Sequence, residues 1–257
     1  MSNLILSQIT DGIGIIKMNN PEKRNTLSPD LIKDFLSALK ELERNEEVSG
    51  IIITGEGTAF SAGADLSYLK NLQSNSLIDN EKDSSLISEL FVSLYECNKV
   101  TIAAVNGAAI AGGCGLALAC DYIIAEKDIA KFGFTEVKIG FVPAIISFLV
   151  LKRLSEAKAR QLLISGTILS AEEALKMGLI DFIELDVLTF SQTFIKSLSV
   201  NSKTSISETK KLIRTVSGMS YKNAVEYAKS VNAISRTSED FKNGLTTFLN
   251  KHGATNE

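Results

Sequence analysis

The hydrophobic positions of this chain recur with two different periods. Near the N-terminus, LILSQIT and GIGIIKM are rich in apolar and β-branched residues and are separated by Asp11-Gly12. Two such runs joined by Asp-Gly predict a β-hairpin. In SPDLIKDFLSALKELERNEEV the period changes, because Leu31, Phe35, Leu39 and Leu42 recur every three to four residues. That spacing predicts an amphipathic helix, with Ser28 as its N-cap and Pro29 at the first helical position. GIIIT then reads as a short buried strand, residues 84–97 as a helix, TIAAV as a strand, residues 112–120 as a helix and YIIA as another strand. Strands and helices alternating in this way predict βαβ-type units and a parallel sheet.

From Ala144 onward the pattern is mostly helical. Ser170 with Glu173 three residues later forms a capping box, and Met177-Gly178 ends the helix it starts. LIDFIEL is one late strand. Residues 202–216 and 220–251 read as helices with polar faces, whose apolar positions suit packing on another subunit. The expectation is an α/β core over residues 1–199 and a helical C-terminal region over residues 200–257. No internal repeat, low-complexity tract or long linker interrupts it.

Composition narrows the function classes. Hydrophobic residues make up 45% and charged residues 22% of the 257 positions, as in ordinary globular proteins. A net charge of −3 disfavours general nucleic-acid binding. Cys97, Cys114 and Cys120 form no C-x-x-C pair, and their odd number suits a reducing compartment. The N-terminal residues show neither a secretory nor a transit signal, so the expected location is the cytoplasm. The 21 uncharged residues from Val100 to Cys120 are long enough to span a bilayer. They are dominated by Ala and Gly and contain the turn signal Asn106-Gly107, so they read instead as a buried strand, a turn and a buried helix, with no membrane span.

Several chemistries lack their residues. The single histidine, His252, stands five residues from the end, which suits a solvated tail and argues against Ser-His-Asp or Cys-His catalysis. No His, Cys and carboxylate cluster has metal-ligand spacing. GAAIAGGC has Gly113 and Cys114 where a phosphate loop needs Lys and Ser/Thr, and GEGTAF lacks the third glycine of a dinucleotide fingerprint. What remains is electrostatic catalysis by backbone donors with carboxylate acid/base work. The segments FSAGADL (60–66) and AAIAGGCGLALACD (108–121) can supply the donors, since a helix N-terminus carries free N–H groups and a positive dipole end. Close packing is the other use of Gly112 and Gly113.

The segments NNPEKRNTLS, GTAFSAGADL, AAVNGAAIAGGCGLALACDY and KFGFTEVKIGFVPA occur in an order that resembles the crotonase, or enoyl-CoA hydratase/isomerase, superfamily. LLISGTILSAEEALKMGLID and the terminal SEDFKNGLTTFLNK extend the resemblance over nearly the whole chain. It implies a spiral of ββα units with a helical C-terminal trimerisation region, homotrimers or dimers of trimers, acyl-CoA thioester substrates, and no cofactor beyond the coenzyme A of the substrate. It implies that the N–H groups of Ala64 and Gly112 bind the thioester oxygen of a forming enolate. It further implies that Ala62 contacts the CoA adenine, that Gly113 lies at the substrate, that Lys23 and Arg24 lie near the CoA phosphates, and that Phe248 and Lys251 reach a neighbouring subunit's CoA. On composition alone, Lys23 and Arg24 are equally a solvated basic pair.

The family pattern places two catalytic glutamates. Glu136 matches the second, and its apolar, aromatic surroundings favour acid/base work over a surface ion pair. Gly115 stands where the first would be, and Ala144 replaces a glycine often found beyond Pro143. Enoyl-CoA hydration is the first expectation, because it is the commonest activity attached to the pattern that this chain resembles. A Δ3–Δ2 enoyl-CoA isomerase working through Glu136 alone is the alternative. Decarboxylation, thioester hydrolysis or CoA binding without turnover follow.

Overall fold

The computed structural model describes residues 3–251. Two antiparallel strands, β1 (Ile5–Thr10) and β2 (Ile13–Met18), open the fold. Between them Asp11 and Gly12 take φ values of 50° and 72°, the type I′ geometry whose twist matches that of the strands. In α1 (Pro29–Arg44) the Ser28 side chain accepts a hydrogen bond from the Leu31 N–H, and Leu31, Phe35, Leu39 and Leu42 are all buried. Hairpin, cap and apolar stripe stand where the sequence pattern puts them.

From Gly50 one motif then repeats three times: a strand in a large sheet, a three-residue strand in a small sheet, then helix. β3 (Gly50–Gly55) and β4 (Ala59–Ser61) lead into α2 (Leu66–Leu72) and α3 (Leu77–Glu96). β5 (Val100–Val105) and β6 (Ala108–Ile110) lead into α4 (Gly112–Leu118). β7 (Tyr122–Glu126) and β8 (Lys131–Gly133) lead, through a 3-10 turn over Glu136–Ile139, into α5 (Ala144–Arg153). The chain continues through α6 (Glu156–Ser165), β9 (Ile168–Ser170), α7 (Ala171–Met177), β10 (Phe182–Glu184) and α8 (Val187–Leu198). The large sheet has the order β1-β2-β3-β5-β7-β10 and the small one β4-β6-β8-β9, parallel except at β1–β2 and β8–β9. This is the expected α/β spiral of ββα units. β3 and β5 are buried at every position, as parallel strands covered on both faces must be.

Two asparagines fasten the crossings between the sheets. Asn106 donates through Nδ2 to the carbonyls of Gly55 and Gly57 and accepts from the Gly55 N–H at 3.2 Å. The fully buried Asn25 donates to the carbonyls of Glu56 and Ala59. Each satisfies backbone groups that leave one ladder before joining the next.

The structure adds elements that the periodicity does not reveal. β4, β6, β8 and β9 have three residues each, too few for a period of two to register. Residues 100–120, read as strand, turn and helix, hold a second strand, β6, before the helix. No helix among the described residues is long and apolar enough to cross a membrane. α3 starts at Leu77 rather than 84, with the Ser76 side chain accepting from the Asp79 N–H. α2 precedes it where no helix was expected.

The chain divides into two compact units, residues up to Ile195 and residues from Lys196 on. The second holds the end of α8 with α9 (Lys203–Val216), α10 (Tyr221–Ser235) and α11 (Glu239–Lys251). The expected helix over 220–251 is therefore two helices. They part at residues 236–238, where the Ser238 hydroxyl accepts from the Phe241 N–H and caps α11. No residue of α9 or α10 is buried. His252 lies outside the described residues.

Candidate functional site

Parallel pairing of β4 with β6 brings the ends of the two glycine-containing segments together, since Ser61 stands opposite Ala109. Beyond β4, residues 61–65 form a tight loop fitted to the segment 24–27. The Ala62 N–H donates to the Arg24 carbonyl at 2.9 Å, the Gly63 N–H to the Ser61 hydroxyl at 3.3 Å, and the Leu27 N–H to the Gly63 carbonyl at 2.8 Å. The Ala64 N–H has no such partner among the described residues. Gly63 holds φ at +79°, and a Cβ there would meet the Ile110 carbonyl oxygen at 2.7 Å. Only glycine fits that turn.

Beyond β6 the Ala111 N–H donates to the Gly133 carbonyl at 2.8 Å and Gly112 begins α4. α4 starts without a side-chain cap, so the Gly112 N–H is likewise unpartnered among the described residues. Ala111 sits at φ 51°, ψ −123°, a region that L-residues rarely adopt. Strain of this kind costs roughly 1–3 kcal/mol and persists only where the surroundings impose it. Here it turns the chain so that the Gly112 N–H follows directly on the strand end. A Cβ on Gly63 would lie 3.1 Å from the Gly112 nitrogen, so the two loops touch. A Cβ on Gly113 would meet the Ser61 carbonyl oxygen at 2.1 Å, which holds the first turn of α4 against β4. The glycine cluster therefore permits close packing and leaves unpaired N–H groups at once.

Glu136 opens the 3-10 turn after β8 and is only 7% exposed. Its Oε2 is buried without a hydrogen-bond partner. Burial pushes its carboxyl above the ordinary carboxylate range. The fully buried Cys114, two residues into α4 from Gly112, feels the charge of Glu136 and is hydrogen-bonded to the Gly133 backbone. Burial above all drives that thiol upward, so Cys114 is inert packing beside the site.

The remaining predicted residues fall as follows. Lys23 is exposed and paired with Asp65 at 3.1 Å, directly after Ala64. Arg24 is exposed with φ +52°, its carbonyl serving the Ala62 N–H. Ala62 is partly exposed and Gly113 is buried. Phe248, 59% exposed, lies on α11 in the second unit, as does Lys251. Among the described residues no group of His, Cys, Asp and Glu could hold a metal ion. A cleft of about 700 Å³ between α1 and α3, lined among others by Lys40, Arg44 and Glu89, is a separate feature, since Glu89 and Ile87 point from opposite faces of α3.

Position 115 departs from the sequence reading. A helical backbone accepts a glutamate there, but the space does not. A Cβ on Gly115 would lie 2.1 Å from Cγ2 of Ile146 and 3.1 Å from Cζ of Phe91. No signal in a single sequence pairs Gly115 with Ile146, or marks Ala111 as strained.

Two touching loops, each with a backbone N–H left unpartnered among the described residues, and a buried glutamate within electrostatic reach of Cys114 on α4 make up the candidate site of this ββα spiral. Residues 8–256 match the enoyl-CoA hydratase/isomerase family. A relative from Thermus thermophilus is 37% identical over 241 residues, 93% of this chain and 95% of its own. The crotonyl-CoA hydratase of Syntrophomonas wolfei is 30% identical, with 98% of this chain and 96% of that protein covered. The crystal structure of an enoyl-CoA hydratase from Shewanella pealeana superimposes with a TM-score of 0.92 at 28% identity, over 96% of this chain and 94% of that one. The chain belongs to the enoyl-CoA hydratase/isomerase family of enzymes, within the crotonase superfamily.

Proposed function

We propose that this enzyme adds water across the C2=C3 double bond of a 2-enoyl-CoA thioester. The thioester oxygen lies between the N–H groups of Ala64 and Gly112, and Glu136 carries the proton to and from C2. The observation that supports this most directly is the pair of unpartnered N–H groups on touching loops. Two preorganised donors aimed at a forming oxyanion contribute about 3–4 kcal/mol each. Burial raises the Glu136 carboxyl above the ordinary carboxylate range, the direction that suits a group exchanging a proton with carbon. The name of the Syntrophomonas wolfei relative agrees with hydration. Lys23, Arg24, Ala62 and Gly113 serve the CoA half, and Phe248 and Lys251 serve the CoA of a neighbouring subunit in a homotrimer or a dimer of trimers. No further cofactor is required.

Isomerisation of 3-enoyl-CoA by Glu136 alone is favoured by one observation, the filling of the space at Gly115 by Ile146. Assaying 2-enoyl-CoA and 3-enoyl-CoA substrates side by side separates the two. Hydration is expected to dominate, and turnover of the 3-enoyl substrate alone would overturn it. A crystal structure with acyl-CoA should place both nitrogens about 2.7–3.1 Å from the thioester oxygen.

A further inference from the structure

With position 115 closed to a carboxylate, hydration requires a base for the attacking water other than a first family glutamate. The inward stripe of α3 supplies one. Asn80, Asp83, Ile87 and Phe91 recur at helical spacing and share one face. Its lower end rests on α4: Ile87 Cδ1 lies 3.8 Å from the place of a Cβ on Gly112, and Phe91 Cζ lies 3.1 Å from that on Gly115. Four residues along α3 from Ile87, about 6 Å by helix geometry, Asp83 Oδ1 accepts a hydrogen bond from the Tyr68 hydroxyl. Tyr68 itself stands in the first turn of α2, one turn downstream of Ala64, where its N–H donates to Asp65 Oδ1 at 3.4 Å. The pair thus ties together the two segments that flank the proposed oxyanion site.

Beside it, Asn80 Oδ1 is buried with no hydrogen-bond partner. An orphaned buried acceptor costs roughly 1–3 kcal/mol and calls for a donor. Asn80 and Asp83 are three residues apart on one helix face, so a single water can donate to both. The Tyr68 hydroxyl is pushed up to about 12, first by burial and then by Asp83. It stays protonated at neutral pH and orients Asp83 rather than replacing it.

We propose that Asp83, oriented by Tyr68 and aided by Asn80, is the base that takes a proton from the water adding to C3. This inference rests on the hydratase reading. As the water oxygen bonds to C3, one of its protons passes to Asp83 and the C2=C3 pair moves into the thioester enolate held by Ala64 and Gly112. Glu136 then delivers its carboxyl proton to C2 and the carbonyl re-forms. One water has been added, Asp83 is protonated and Glu136 ionised. Proton exchange with solvent restores both.

The test uses the full-length protein with two readouts. Hydration of 2-butenoyl-CoA needs both halves of the machinery. Deuterium incorporation at C2 of butanoyl-CoA in heavy water needs only the oxyanion donors and Glu136. Asp83→Asn is expected to lower kcat for hydration by about 10²–10⁴-fold, the usual share of a positioned acid/base group. KM should barely change, C2 exchange should persist, and Asp83→Glu should recover part of the hydration rate. Tyr68→Phe removes one hydroxyl, and is expected to lower kcat without raising KM. It decides the question if Asp83→Asn does not fold. Parental hydration in Asp83→Asn, parental kcat in Tyr68→Phe, or loss of hydration and exchange together in a folded Asp83→Asn would each overturn the proposal. A parent enzyme that neither hydrates nor exchanges would instead overturn the hydratase reading beneath it.

Discussion

Ile146 on α5 occupies the space into which a side chain at Gly115 on α4 would grow, with only 2.1 Å between its Cγ2 and the place of a Cβ. Ile146 is buried and Phe91 closes the other side, so neither neighbour can swing into solvent. Gly115→Glu alone should therefore overpack the α3–α4–α5 junction and destabilise by about 1–3 kcal/mol. It should not raise hydration. Adding Ile146→Ala opens the space, and the two changes should couple favourably by about 0.5–3 kcal/mol. Urea denaturation of the parent, both single variants and the double variant measures that coupling. A gain in hydration is expected in the double variant only. Additive stabilities would show that Ile146 does not block the site.

Ala111 makes a complementary case, because its strain lies in the backbone rather than in packing. At φ 51°, ψ −123° it occupies a conformation that glycine adopts freely. Ala111→Gly should relieve more strain than it adds in unfolded-state entropy, for a net gain of about 1 kcal/mol. Thermal melts should show an increase in Tm of several degrees or less. Ala111→Val should lower Tm, since a β-branched residue at positive φ is worse than alanine. A lower Tm in Ala111→Gly would mean that the turn is imposed without strain.

The legibility of the sequence followed the range of the interactions involved. Asp11-Gly12, Ser28-Pro29 and Ser170-Glu173 act within four residues, and each forms the turn or cap it suggests. The small sheet has no such local code. β4, β6, β8 and β9 exist because each lies beside the next, and the crossing from β3 to β4 is fastened by Asn25 and Asn106 from distant parts of the chain. α2 has only seven residues, and the first turns of α3 lie in the polar stretch 73–83, so no apolar period announces either helix. In the candidate site, Ala64, Gly112 and Glu136 could be named from motifs. Tyr68, Asp83 and Asn80 could not, because their relation depends on α2 folding back along α3. Ile146 was missed for the same reason, being 31 residues from the glycine it crowds.

The C-terminal helices carry an expectation about assembly. Ile213 is 60% exposed and Ile234 69% exposed, on helices that bury no residue of their own in the chain. Such surface is costly to leave in water, at roughly 25 cal/mol per Å². Sedimentation should return three or six times the 27.8 kDa chain mass. Ile213→Asp combined with Ile234→Asp should shift the protein toward the single-chain mass. On a free surface each change would stay within about 0.5 kcal/mol and leave the mass unaltered. A parent protein sedimenting as one chain would refute the assembly.

Glu136 links stability to pH in a direction fixed by its burial. Its carboxyl is raised in the folded protein, chiefly by desolvation, while in the unfolded chain it titrates near the ordinary glutamate value of about 4.3. Between those two values the folded state holds the proton more tightly than the unfolded state does. Stability contributed by the neutral carboxyl is thus fully present below pH about 4 and is lost as pH rises through the folded value. Glu136→Gln keeps the shape and removes the titration. Whatever the amide costs at every pH, the Tm of Glu136→Gln relative to the parent should climb as pH rises from 4 and level off above the folded value. The same variant should lose about 10²–10⁴-fold in turnover, because the group that burial holds ready for proton transfer is the one removed. Melts at a series of pH values, paired with hydration assays at neutral pH, test both halves. A Tm difference that is flat with pH would mean that Glu136 titrates normally in the fold and that its buried Oε2 finds solvent. Unchanged turnover in Glu136→Gln would remove it from the chemistry altogether.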